Sequence, residues 1–273
     1  MHPNFHFTAL QVLWTFTFAA QLVLLVVLMG RDRIKRFPWF TLAILLMALR
    51  LMASRLLYGR LPSVTLSGIF IVMADLAAIV GLLVVVEMAR RAFAGACRNG
   101  WMAVAVAVLI VGVGVLAVLG GPWPAWKTLK PDSSLADLRL MQFGAQKLDM
   151  FVDLLTVELG LLVISLGRRF AGGWRTHTQR IVIGLSTASI AQLGIQLVWK
   201  LVAKSAQPHS QAEYDRVVGL RDKLFNANGA LYVVILIWWI AVLWKDEQGA
   251  GGEAVTASPQ PEYIAPENET AGD

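Results

Sequence analysis

Along most of this chain, apolar residues neither alternate with polar ones nor recur in a narrow stripe; they run on. Seven stretches of mostly apolar residues fall roughly at 7–30, 38–58, 64–88, 101–121, 146–167, 180–202 and 225–244. Each is about 20 residues long, the length that carries an α-helix across a hydrocarbon layer about 30 Å thick. Trp101 to Gly121 is apolar on every face and holds no ionisable group, whereas the second stretch contains Arg50 and Arg55. The pattern predicts an all-α, polytopic membrane bundle of seven transmembrane helices within residues 1–245. The first stretch lacks the basic region that precedes a cleaved leader and is long enough to span, so it is expected to stay as helix one.

Turn and cap signals extend two of these helices. Ser210 with Glu213 reads as a capping box, followed by Val217, Leu220 and Leu224 at helical spacing, so the seventh helix is expected to start well before residue 225. Ser134 with Asp137 gives the fifth a similar early start, after the turn-rich Gly120 to Pro124.

Composition agrees with the pattern: 57% of residues are hydrophobic and the mean hydropathy is +0.62, more than a water-soluble core requires. The net charge of +6 does not point to nucleic acid, because the cations gather in short loops beside apolar runs. Arg31, Arg33, Lys35 and Arg36 follow the first stretch, Arg90, Arg91 and Arg98 the third, and Arg168, Arg169, Arg175 and Arg180 the fifth. By the positive-inside rule these loops are cytoplasmic, with the N-terminus outside and the C-terminus inside a bacterial cytoplasmic (inner) membrane. Lipid is the expected partner, with a cytoplasmic or membrane protein engaging the basic loops; homo-oligomerisation is left open. Residues 246–273, rich in Gly, Pro, Glu and Ala, read as a disordered cytoplasmic tail too short for a catalytic domain. Any signal would leave through another protein.

Candidate chemistry lies in ionisable groups within the spans, each costing about 2.5–3.5 kcal/mol to insert unless partnered or hydrated. Arg50 and Asp75 fall at nearly the same depth on successive helices, which suggests an intramembrane ion pair. Asp149 and Asp153 stand four residues apart and share a face of the fifth helix, level with Arg55, while Glu158 lies near the midplane and is turned away from them. Ser186, Ser189, Gln192, Gln196 and Lys200 form a polar stripe along the sixth helix. Asn226, Asn228 and Tyr232 add polar groups on the seventh, and Gln11, Thr15, Thr17 and Gln21 on the first. A pocket in the outer half of the bundle, lined by Arg55, Asp149, Asp153, Gln192, Gln196 and Asn228, is therefore a candidate ligand site. Glu87 precedes Arg90 and Arg91 by three and four positions and reads as part of a surface pair at the cytoplasmic edge.

The motifs of catalysis are missing: no HExxH, no Gly-x-Ser-x-Gly, no phosphate-binding Gly-Lys loop. Cys97 is the only cysteine and no histidine lies inside a predicted span, so no metal, haem or other cofactor is expected. Gly30-Arg31 through Phe37-Pro38-Trp39-Phe40, Glu87 to Arg91, and Gly167-Arg168-Arg169 with Trp174-Arg175 give the chain, over nearly its full length, the look of a known group. It resembles a set of uncharacterised bacterial seven-helix membrane proteins with no assigned activity, and that resemblance implies the fold alone. The functional expectation is a sensor or receptor-like module. A structural or assembly subunit and a transporter of a small polar solute or proton are the alternatives, and catalysis is disfavoured.

Overall fold

The computed structural model describes residues 9–93, 111–112, 114–115, 134–166, 176–205 and 210–245. Among them the chain forms seven α-helices and no strand: α1 (Ala9–Gly30), α2 (Arg33–Arg36), α3 (Pro38–Leu57), α4 (Ser63–Ala92), α5 (Ser134–Leu166), α6 (His177–Ser205) and α7 (Gln211–Trp244). Five are long and apolar enough to cross a membrane: Leu10–Gly30, Pro38–Leu57, Ser63–Ala92, His177–Ala203 and Gln211–Trp244. The described residues are thus those of a helical, multi-pass membrane protein. The tail from residue 246 and nearly all of the apolar stretch at 101–121 lie outside the described residues; Val111, Gly112, Gly114 and Val115 of that stretch are helical.

Local chemistry accounts for the helix boundaries. Pro38 starts α3, where its missing N–H costs nothing. Ser210 starts α7: its hydroxyl accepts the Glu213 N–H at 3.3 Å, the forward half of a capping box, and the helix begins 14 residues before 225. α2 is a single turn that the apolar pattern did not predict. It follows Asp32, held at φ 51°, a left-handed conformation that Asp tolerates better than most residues. His177, just before the apolar stretch at 180–202, opens α6 and is buried.

The six long helices close a ring in the order α1, α3, α4, α5, α6, α7 and back to α1. Neighbours run antiparallel except at two seams. Gly68 lies against Leu138 and Gly81 against Val152, so α4 and α5 are parallel; Gly229 lies against Leu13 and Trp244 beneath Arg31, so α7 and α1 are parallel. The triplets α1-α3-α4 and α5-α6-α7 consequently meet as two like-oriented halves. Their outer faces are apolar and bare: Val26, Leu161, Leu197 and Ile237 are each 55–65% exposed. That is the inverse of a water-soluble bundle and the expected surface for helices solvated by lipid.

The fully buried residues concentrate at one end of the ring. Leu24 and Leu28 of α1, Phe37, Phe40 of α3, Met88 of α4, Leu159 of α5, Ile181 of α6, and Leu236, Trp239 and Leu243 of α7 form one cluster. Around it lie Arg31, Arg33, Arg36, Arg90, Arg91, Arg180 and Lys245, and Arg33 donates to the Lys245 carbonyl at 3.4 Å. This end is called the basic end below.

Candidate ligand-binding cavity

Inside the ring is a cavity of about 290 Å³, walled by α3, α4, α5, α6 and α7. Its position follows from where small residues meet large ones. At the basic end Trp239 packs directly on Gly184, where any side chain would collide with the indole, and meets Phe40 edge-on with centroids 5.2 Å apart. Further from that end, Ala43, Ala77, Ala78, Gly81 and Ala188 line the wall and leave space instead of filling it.

The polar stripe of α6 sets the heights. Ser186, against Gly160, donates to the Thr156 carbonyl at 2.8 Å. Ser189 donates to Asp153 Oδ1 at 2.7 Å, and Gln192 Oε1 accepts from Asn228 Nδ2 at 2.6 Å. Taking 1.5 Å per residue along α6, the carboxylate row sits about 8 Å above the Trp239 floor and the amide row about 4–5 Å higher. Tyr232 also lines the cavity, its hydroxyl donating to Met47 Sδ at 3.1 Å and hydrogen-bonded by the Gln21 side chain.

Asp149 and Asp153 of α5 line one side of this space, one helical turn apart, and Arg50 of α3 lines it too. Both the Arg50 guanidinium and the Asp75 carboxylate are close enough to act on Asp149 electrostatically. Among the described residues Asp149 receives no hydrogen bond, Asp153 receives one, and no ion pair of 4 Å or less joins Arg50 to either acid or to Asp75. The acceptors in this row outnumber the donors that reach them.

Of the residues expected to bind ligand, the fold brings Asp149, Asp153, Gln192 and Asn228 together around the cavity. Gln196, one turn further along α6, and Arg55, exposed in the last turn of α3, do not line it. Asp75 does not line the cavity, although its charge acts on Asp149. Glu158 is separate as well: both its carboxylate oxygens are buried and take no hydrogen bond from the described residues. On α1, Thr15 and Thr17 return hydrogen bonds to carbonyls four residues back and Gln21 serves Tyr232. Lys200 is exposed near the far end of α6. No group of three or more potential metal ligands occurs among the described residues.

One residue does more than its sequence position implies. Glu87 is not a surface group: it is 8% exposed, and its Oε2 accepts the backbone N–H of Phe40 at 3.2 Å while its Oε1 pairs with Arg91 at 3.3 Å. It thereby caps the first turn of α3 from another helix, where backbone N–H groups lack partners within the helix and the helix dipole favours an anion. The Arg91 guanidinium in turn lies over the Phe37 ring, 5.1 Å from its centroid. Phe40 is therefore both clamped at the basic end and part of the cavity floor.

No protein family, no curated protein and no solved structure matches the chain.

Proposed function

We propose that this chain is a seven-span protein of a bacterial inner membrane that acts as a sensor or receptor-like module, binding a small solute in the central cavity. The observation that carries this reading is the double role of Phe40. Together with Trp239 it floors the cavity, and Glu87 ties its backbone to the basic end. A ligand that presses on Phe40 or Trp239 biases how the two ends of α3 and α7 are held, and a cytoplasmic partner reading the basic loops would receive that bias.

Several features support the seven-span topology. α4 ends at the basic end and α5, parallel to it, begins at the opposite end, so a return crossing within 101–121 is the economical connection. Gly114 of that stretch is buried against Phe151 and Leu155 of α5. α5 can cross lipid although 146–167 holds three carboxylates, because Asp149 and Asp153 line the cavity and the Glu158 oxygens are buried. The gathering of arginines at one end supports a cytoplasmic basic end.

A second reading, transport of a small polar solute, is favoured by the two like-oriented triplets meeting around a central cavity, as in transporters built from parallel repeats. The packed floor counts against an open route through the basic end. Thermal unfolding of the detergent-purified chain against a panel of small polar solutes, repeated with Ala188→Phe to fill the cavity, tests the shared premise. A solute that stabilises the native chain and not the filled variant upholds the cavity as a binding site. If no solute in the panel shifts the unfolding temperature, the reading fails. Flux of the stabilising solute in liposomes then separates transporter from sensor.

A further inference from the structure

The balance of donors and acceptors around the cavity narrows its ligand to one chemical class. Resting on the cavity-binding reading above, we infer that the site takes a small primary or secondary amine in its protonated form, carrying a compact apolar tail. The shortage of donors lies in the carboxylate row. Asp149 has both oxygens, and Asp153 its Oδ2, without a hydrogen-bond donor among the described residues. Neighbouring groups do not make good the deficit: the Ser189 hydroxyl is already given to Asp153 and the Tyr232 hydroxyl to Met47, and the Asn228 amide gives one N–H to Gln192, with no N–H of either amide reaching a carboxylate among the described residues. What the row lacks is a group with several N–H donors, and an ammonium supplies two or three.

Charge points the same way. The lining carries two carboxylates, with Asp75 close enough to act on Asp149, against the single guanidinium of Arg50, which stays beyond ion-pair distance. Asp149 is exposed and Asp153 half-buried beside it on the cavity wall; two like charges one helical turn apart within a span repel each other, and a bound cation offsets that repulsion. An anion would meet repulsion from the row, and a neutral alcohol would bring one donor and no charge.

Shape sets the tail. Beneath the acids the wall is Ile44, Val84, Val85, Phe40 and Trp239, with no charged side chain. The distance from the carboxylate row to the indole floor is about 8 Å by the rise of α6. The volume equals that of on the order of ten water molecules at ~30 Å³ each. A phenyl or short alkyl group on a two-carbon stem fits this depth, with its ammonium at Asp149 and Asp153 and its apolar end on Phe40 and Trp239.

Equilibrium dialysis of the full chain in detergent with labelled phenethylamine, 2-phenylethanol and phenylacetate tests this directly. Phenethylamine is expected to bind saturably and at least tenfold more tightly than the alcohol or the acid. Asp149→Asn and Asp153→Asn should each weaken it at least tenfold and narrow its advantage over the alcohol. Equal or tighter binding of the alcohol or acid, abolished by Ala188→Phe, would overturn the amine assignment and leave the cavity reading standing. Saturable binding of none of the three would also overturn it, and the broader solute panel then decides the cavity reading separately. If an Asp→Asn chain does not fold, the ranking of the three probes on the native chain still decides the ligand class.

Discussion

The two halves of the ring are built from the same six helices and obey opposite rules. Toward the basic end, the large side chains that face one another interlock completely: Phe37, Leu28, Met88, Ile181 and Leu243 are all at 0%. Toward the other end the same helices present Ala, Gly, Asp, Asn and Gln to one another and enclose a space. In lipid there is little hydrophobic gain from helix association, so stability rests on close packing and satisfied polar contacts. The packed half should therefore hold the fold, and the hollow half should be free to serve a ligand. Substitutions in the packed half should cost stability, and those in the hollow half should cost binding.

Trp239→Ala should give the largest loss. It removes the side chain that joins Gly184, Phe40 and the cavity floor, and helices held at this spacing cannot collapse onto the void. Buried Trp→Ala changes cost about 3–5 kcal/mol, and a value near the lower end is expected here because lipid weakens the transfer contribution. Thermal unfolding in detergent measures it. Trp239→Phe should cost far less, since it keeps the ring and discards an indole N–H that is buried without a hydrogen-bond partner. A loss in Trp239→Ala no greater than in Trp239→Phe would break the contrast between the halves.

Glu87→Ala comes next. It leaves the Phe40 N–H without an acceptor and Arg91 without its partner, a loss of about 1–3 kcal/mol for one buried, charge-assisted contact. Glu87→Gln should recover part of this, because its amide oxygen can still accept from Phe40. If the sensor reading holds, Glu87→Gln should also alter the size of any ligand-induced stabilisation although it lies outside the cavity wall. An unchanged ligand shift would separate the clamp from the site.

What could be read in the sequence follows from what each feature depends on. The apolar runs announce α1, α3, α4, α6 and α7, because crossing length is a one-dimensional property. The stripe from Ser186 to Gln192 was equally legible, since helical spacing alone puts those residues on one face, and that face meets Thr156, Asp153 and Asn228. Depth could be counted, but azimuth could not: Arg50 and Asp75 share a level, yet both charges meet at Asp149. Arg55 is one turn too far along α3 to reach the cavity. Glu87 was the most opaque, because its partner is a backbone N–H 47 positions away, and a backbone group carries no residue identity to recognise.

The smallest effect on the fold is expected from the amide row, and it gives the comparison its sharpest form. Asn228→Ala deletes one hydrogen bond to Gln192 in a half-buried setting. Interhelical contacts of this kind within membranes average about 0.6 kcal/mol, and the adjoining cavity leaves room for water to satisfy the amide that remains. Thermal unfolding should move by no more than a degree or two, well below the change from Trp239→Ala although both residues line the same cavity on the same helix. Ligand-induced stabilisation should nevertheless fall, because Gln192 is then free to reorient across the mouth of the carboxylate row. An unfolding shift as large as that of Trp239→Ala would mean that polar contacts hold the upper ring as firmly as packing holds the lower one, and the division of labour between the halves would have to be abandoned.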